Sequence, residues 1–415
     1  MPSLRNWRKK RVTESNDKKV PALRFKGFTD DWEQRKPGDF LVESKIIGHK
    51  GDKAKKLTVK LWGKGVQEKQ DILSGSANTQ YYIRKSGQLM YGKLDFLHAA
   101  FGIVPSQLNN YESTIDSPSF DVKSANSIFL LNLFLRKKFY LYYGERANGS
   151  RKAKRIHEKD FLVMPIKMPE INEQNKISNL IEIVNNRITL QQRKNILLYK
   201  LRKSLLSTLL TDKCTPKVRF KSFLEPLKKQ KLGDMAPLRG GFAFKANNYV
   251  NTGIPIIRIS NILSNGSIGG NFAYYSEQSD DSNYILFNGS ALIAMSGATT
   301  GKTAILDLEK KKKVYQNQRV GYFTPTKNSD YSFIKAIIKS NYFLKQLNSI
   351  MVAGAQPNVS AVDIDNFTFY FPESKKEQKY IGNNFEIINK IILLQKNRVD
   401  KLKKLKRSLL QQLFI

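Results

Sequence analysis

Pro21-Ala22-Leu23-Arg24-Phe25-Lys26-Gly27-Phe28, followed by Gly38-Asp39, is answered by Pro216-Lys217-Val218-Arg219-Phe220-Lys221-Ser222-Phe223, followed by Gly233-Asp234. Each matched pair is 195 residues apart, as 216 is from 21. A second echo lies further on. Glu173-Gln174-Asn175-Lys176-Ile177 returns as Glu377-Gln378-Lys379-Tyr380-Ile381, and Lys200-Leu201-Arg202-Lys203-Ser204-Leu205-Leu206 as Lys404-Leu405-Lys406-Arg407-Ser408-Leu409-Leu410. Here the offset is 204, as 377 is from 173. The chain is therefore built twice, from units that share a beginning and an end and differ in the length of what lies between. Internal repetition on this scale decides the architecture before any local propensity is weighed.

The shared ends read as long helices. Apolar residues at Ile177, Ile181, Val184, Ile188, Leu198, Leu201 and Leu205 are matched by Ile381, Phe385, Ile388, Ile392, Leu402, Leu405 and Leu409. Steps of three and four place such residues on one helical stripe, suited to packing against a partner helix. Gln191 and Gln395 sit at equal places in it, where a polar residue fixes register. Gly382 is the only glycine or proline in either run, so each is expected to continue unbroken for about 55 Å.

The middles read differently. Runs such as Ile256-Ile257-Arg258-Ile259 and Ala291-Leu292-Ile293-Ala294-Met295, punctuated by Gly, Asn and Ser, predict short strands and loops of an α+β fold. Tyr81-Tyr82, Tyr142-Tyr143, Tyr274-Tyr275 and Tyr315 could stack on bases, although strand aromatics belong more often to the core. The segment 1–19 is basic and aperiodic, a solvated tail. Lys310 to Lys313 read as a solvated hairpin tip.

Composition narrows the chemistry. Among 415 residues, 71 Lys+Arg face 35 Asp+Glu, a net charge of +36 that points to a polyanion such as nucleic acid. The N-terminus enters charge directly and no long apolar run occurs, so a cytoplasmic protein without membrane contact is expected. One cysteine, Cys214, and three scattered histidines, His49, His98 and His157, exclude an internal disulfide and argue against structural zinc.

No active site emerges. Gly297-Ala298-Thr299-Thr300-Gly301-Lys302-Thr303 is one residue too short between its glycines for a phosphate loop, yet its amides, hydroxyls and lysine suit a nucleic-acid contact. Gly63-Lys64-Gly65 lacks the third glycine of a dinucleotide loop. Glu43-Ser44-Lys45 has the outline of a nuclease pair, but its nearest upstream acid, Asp39, is too close to sit on a separate strand. No Asn/Asp-Pro-Pro-aromatic run of an amino-methyltransferase is present.

The segment from Val20 to Lys36 (Val20-Pro21-Ala22-Leu23-Arg24-Phe25 through Trp32-Glu33-Gln34-Arg35-Lys36), the proline-led Glu-Gln entry to each long helix, and Ala355-Gln356-Pro357-Asn358-Val359-Ser360 resemble the specificity subunits of type I restriction-modification enzymes. The resemblance covers both units. It implies an α+β chain of two tandem target-recognition domains, each followed by a long conserved helix, with the two helices packed as an antiparallel coiled-coil spacer of pseudo-twofold symmetry. The expected division is a basic tail 1–19, a first recognition domain 20–160, a central helix 161–214, a second recognition domain 215–364 and a C-terminal helix 365–415. It further implies double-stranded DNA as ligand, two methyltransferase subunits and motor-nuclease restriction subunits as partners, and no catalysis by this chain. S-adenosylmethionine, ATP and Mg would belong to the partners, and this chain would bind no cofactor or metal.

Side chains able to read base edges or phosphates from loops are the candidate DNA contacts. In the first unit they are Arg84, Lys85, Lys93, Arg146, Arg151 and Lys152; in the second, Arg258, Ser260, Asn261, Ser296, Thr299, Thr300, Lys302, Gln318, Arg319, Gln356 and Asn358. Gln356-Pro357-Asn358 has no counterpart in the first unit, which also offers Tyr91-Gly92-Lys93-Leu94-Asp95 in place of the Gly297 loop. Different middles imply different half-sites. Two other readings compete: a self-contained DNA nuclease or methyltransferase, and a nucleic-acid scaffold held by charge alone.

Overall fold

A computed structural model describes residues 20–70, 76–146, 154–216, 218–308, 313–351 and 358–415. The basic segment 1–19 and Lys310 to Lys312 lie outside the described residues. The chain divides into two compact units, Met1–Leu190 with Val399–Ile415, and Gln191–Arg398.

In the first unit an antiparallel sheet runs Leu41–Ser44, Ser119–Val122, Leu89–Tyr91, Phe101–Ile103. Helices Ser127–Phe134 and Lys137–Glu145 join it around one core. Tyr91, Phe96, Phe101, Phe120, Phe134 and Phe161 form a continuous aromatic cluster there, with ring centroids between 4.7 and 6.5 Å apart in the paired contacts. Leu413 and Phe414 complete this core, Phe414 stacking on Phe129 at 5.0 Å. A second sheet of Ile46–Lys50, Gln80–Ile83 and Glu112–Ser113 and a hairpin of Leu57–Val59 with Val66–Glu68 stand beside it.

The second unit repeats the plan with different residues. Its sheet runs Leu238–Arg239, Val320–Phe323, Ala291–Ala294, Thr303–Ile305, followed in chain order by helices Tyr331–Ile337 and Asn341–Met351. All four residues of Ala291–Ala294 are buried, which explains their unbroken apolar run, since a strand covered on both faces has no polar side to alternate with. The accessory sheet here has four strands, including a parallel pairing of Ile254–Ile257 with Val314–Gln316.

The shared frame has a direct structural cause. Each opening motif leads into a strand, Glu33–Arg35 or Lys228–Lys231, that pairs with the strand just before a long helix, Ile166–Met168 or Thr368–Phe371. Beginning and end of each repeat are thereby neighbours. The long helices run Ile171–Leu209, 39 residues, and Lys375–Gln412, 38 residues, as the uninterrupted patterns require.

The stripe itself needs one correction. Ile177, Ile181, Val184 and Ile188 are buried, as are Ile381, Phe385, Ile388 and Ile392. Leu201 and Leu405, however, are 49% and 47% exposed. Each lies 13 residues past Ile188 or Ile392, which at about 100° per residue is some 140° round the helix, off the buried face. Leu198, Leu205, Leu402 and Leu409 are half-buried. On the buried face instead lie Gln191, Asn195 and Gln395, whose amide oxygens are buried with no hydrogen-bond partner among the described residues. Arg202, half-buried, donates to Asn389 Oδ1 at 3.0 Å.

Candidate nucleic-acid interface

Four connections of the second unit converge at one edge of its sheets. Strand Ile254–Ile257 runs into Arg258 to Asn261, and Ala291–Ala294 into the Gly297 loop. Asn317 N donates to Ile257 O at 3.1 Å, Met295 N to Arg319 O at 3.0 Å, and Val359 N to Met295 O at 2.9 Å. Thr299 Oγ1 closes the ring by donating to Ile259 O at 3.1 Å. The loop needs its glycines: Gly297 and Gly301 have φ of +74° and +80°, and a Cβ on Gly301 would fall 2.7 Å from Leu347 Cδ2.

Of the residues chosen from the sequence here, Ser260, Gln318, Arg319 and Asn358 are exposed, and Arg258, Thr299, Thr300 and Lys302 are half-buried at the same edge. Two others belong to the frame. Asn261, 1% exposed, accepts from Arg258 N at 3.0 Å and donates to Gly269 O and Asn271 O at 3.0 and 3.1 Å, so its amide holds the turn rather than facing outward. Ser296 is buried as well. Gln356 lies outside the described residues. Phe242, passed over in the sequence, is 45% exposed at the same place; its N–H donates to Gln316 O at 2.9 Å and its carbonyl accepts from Gln318 N at 2.9 Å. Only its position after Gly240-Gly241 could have drawn attention to it.

The first unit differs more from expectation. Arg84, 2% exposed, gives its guanidinium to Ser113 Oγ at 2.8 Å, Ser44 O at 2.9 Å and Ser119 Oγ at 2.9 Å. Burial lowers its pKa to about 10, so it remains a cation that ties three strands together and presents nothing to a ligand. Lys93 is likewise buried, its Nζ 2.7 Å from Glu158 Oε1. Burial pushes the Glu158 carboxyl up, but the Lys93 ammonium, a backbone N–H and a hydrogen bond shared with Glu43 together outweigh it and hold the group below the usual carboxylate range. A charge at the start of a loop carries no sign that it will be turned inward, which is why the sequence placed both on the surface.

Lys85 and Arg146 are exposed. Lys85 donates to Asn110 Oδ1 at 2.7 Å, and Arg146 lies over the exposed Tyr142 ring at 3.5 Å from its centroid. Arg151 and Lys152 lie outside the described residues. Among the tyrosines, Tyr81, Tyr143, Tyr275 and Tyr315 are core residues. Lys313, read as a solvated tip, is drawn to Glu277 and Asp281, which raise its pKa. Among the described residues no group of three or more His, Cys, Asp or Glu side chains is placed to hold a metal, and no helix is long and apolar enough to cross a membrane.

Two like frames thus carry unlike loop edges on a strongly basic chain. Residues 225–404 match the family model of the type I restriction modification DNA specificity domain. The chain is 22% identical over 271 residues to the type I restriction enzyme MjaVIII specificity subunit of Methanocaldococcus jannaschii, a match covering 62% of this chain and 63% of that one, under two thirds of the relative's length. Its fold is similar to the type I restriction-modification S subunit of M. genitalium, with TM-score 0.61 and 13% identity over 95% of this chain and 99% of that one. A chain from a structure of type I R-M complex assembly and conformational transition aligns with TM-score 0.51 and 14% identity, over 92% and 97% of the two chains. Residues 225–404 therefore match a type I restriction modification DNA specificity domain, and the chain as a whole is similar in fold to the S subunit of M. genitalium.

Proposed function

We propose that this chain is the DNA-recognition subunit of a type I restriction-modification complex in the cytoplasm, and that each unit reads one half of a split duplex target. The observation that carries this reading is the doubled frame around unlike loop edges, together with the specificity-domain match over residues 225–404. One frame used twice gives a fixed placement; different loops give different half-sites. Recognition domains at 20–160 and 215–364, separated by helical spacers at 161–214 and 365–415, follow from it. The long helices act as an antiparallel coiled-coil ruler and as the seat of two methyltransferase subunits, which motor-nuclease subunits then join.

Ser260, Thr299, Thr300, Lys302, Gln318, Arg319, Asn358 and the partly buried Arg258 are the proposed DNA-facing residues of the second unit, and Lys85 and Arg146 those of the first. Arg151, Lys152 and Gln356 remain candidates on chemistry alone. Chemistry belongs to the partners: adenine methylation with S-adenosylmethionine, and cleavage with ATP and Mg. The chain should be co-expressed with its host's methyltransferase subunit and genomic adenine methylation mapped by sequencing. Modification at a split motif with a fixed gap supports the proposal. A chain that assembles with no methyltransferase, or marks no split motif, overturns it.

A further inference from the structure

Trp62 occupies a position that neither packing nor turn chemistry explains. It sits at the tip of the hairpin joining Leu57–Val59 to Val66–Glu68, with φ of +60°, followed by Gly63 at +64°. Lys64 N donates to Leu61 O at 3.4 Å across them, so these are the two central residues of a tight turn whose left-handed conformation favours Asn, Asp or Gly. A tryptophan there carries steric strain, and its side chain is 59% exposed, so burial does not repay it.

The tip is held rigidly. Trp62 N donates to His98 O at 2.7 Å and Gly63 N to Ala99 O at 2.9 Å. The indole meets the His98 ring edge to face, centroids 5.4 Å apart. These bonds tie the tip to the connection between Leu89–Tyr91 and Phe101–Ile103, the counterpart of the Gly297–Lys302 loop in the second unit. Leu94, 43% exposed, lies on the same connection. Lys60 and Lys64 stand in the same tip two residues to either side of Trp62, both exposed and neither in an ion pair among the described residues. A fixed aromatic face between free cations suits a base with its adjoining phosphates. It does not suit an apolar protein surface, which would leave both ammonium groups buried and unpaired.

We propose that Trp62 is the stacking or wedging contact of the first unit with its DNA half-site, with His98 as its backing and Lys60 and Lys64 on the flanking phosphates. This rests on the DNA-recognition reading above. The test uses the full chain in complex with its methyltransferase subunit and a fluorescein-labelled duplex carrying the site that the wild-type complex methylates. Trp62→Asn gives the turn a residue it prefers, so the melting temperature should hold or rise. Affinity should fall between about fivefold and a hundredfold, with an unchanged salt slope because no phosphate contact is lost. Trp62→Phe should recover part of the loss, and Lys60→Ala with Lys64→Ala should instead flatten the salt slope. If Trp62→Asn binds like wild type, or binds less only because it melts earlier, the inference fails while the recognition reading stands. If the wild-type complex methylates no split site, the recognition reading fails first and this inference with it.

Discussion

Arg24 and Glu173 form a two-pronged ion pair, Nε to Oε1 at 2.8 Å and Nη2 to Oε2 at 2.9 Å, and Arg219 and Glu377 repeat it at 2.7 and 2.7 Å. In each case the arginine belongs to the opening motif and the glutamate to the first turn of a long helix. The following glutamine completes the joint. Gln174 accepts from Asn126 N at 3.0 Å and donates to Pro169 O at 2.8 Å, while Gln378 accepts from Asp330 N at 2.8 Å and donates to Pro372 O at 2.7 Å. The Glu-Gln signature is thus a joint that locks helix, opening motif and cap into one piece.

Arg24→Ala leaves the carboxylate of a fully buried glutamate unpaired, so it should destabilise the first unit by about 3 kcal/mol. Arg219→Ala should do the same to the second. Urea unfolding followed by near-ultraviolet circular dichroism measures both. Replacing the pair together, as Arg24→Leu with Glu173→Leu, should cost less than Arg24→Ala alone; an equal or larger cost would show that the pair itself, not the orphaned charge, carries the stability.

The edge of the second unit separates frame from proposed reader. Asn261→Ala removes three hydrogen bonds from a buried turn and should cost about 1–3 kcal/mol in unfolding experiments. Gln318→Ala and Arg319→Ala change exposed side chains and should leave stability within about 0.5 kcal/mol. Their effect should appear in methylation sequencing instead, as relaxed base choice in one half of the split motif only. Unchanged methylation in both variants would remove these two residues from the proposed contact set.

Where the fold could be read from the chain, a periodicity or a repeat carried it. The long helices and the doubled frame were legible because Glu173, Ile177 and Ile181 recur as Glu377, Ile381 and Phe385. Leu201 and Leu405 misled because a three-four pattern sustained over many residues drifts from the buried face. Arg84 and Lys93 misled for another reason: whether a cation turns inward depends on partners more than 25 residues away, Ser113 and Glu158, which no local pattern announces. Trp62 was illegible as a site because exposure and backbone strain exist only in three dimensions.

The Lys93–Glu158 pair makes a pH prediction with a definite sign. The folded pKa of Glu158 lies below its unfolded value, so the pair's stabilisation is complete above the ordinary glutamate range and is lost as pH falls through the folded pKa. Lys93→Met removes the ammonium that does most to oppose burial, so that pKa rises and the slope weakens. At pH 7 the variant should be less stable than wild type, and the gap should narrow on acidification toward pH 4. Parallel urea titrations at the two pH values measure it, and a gap that stays constant would show that Glu158 does not titrate with folding.

Gly382 explains the one break in the helical pattern and gives the sharpest structural test. At the matching place in the first unit Ser178 donates to Oδ1 of Asn126, the cap of helix Ser127–Phe134. In the second unit that bond is made from the other side, by Ser332, whose hydroxyl serves Asp330, the cap of helix Tyr331–Ile337. The long helix comes close to that cap at Gly382. A Cβ on Gly382 would lie 2.1 Å from Ser332 Oγ, 2.4 Å from Ser332 C and 2.6 Å from Phe333 N. Two of those atoms are main chain, so rotating or trimming a side chain cannot make room. Gly382→Ala should accordingly cost about 2–3 kcal/mol in the unfolding of the second unit, despite alanine's higher helix propensity. Adding Ser332→Ala should recover little of it. A stable Gly382→Ala protein, or full rescue by the second change, would mean that the two helices can separate there at small cost.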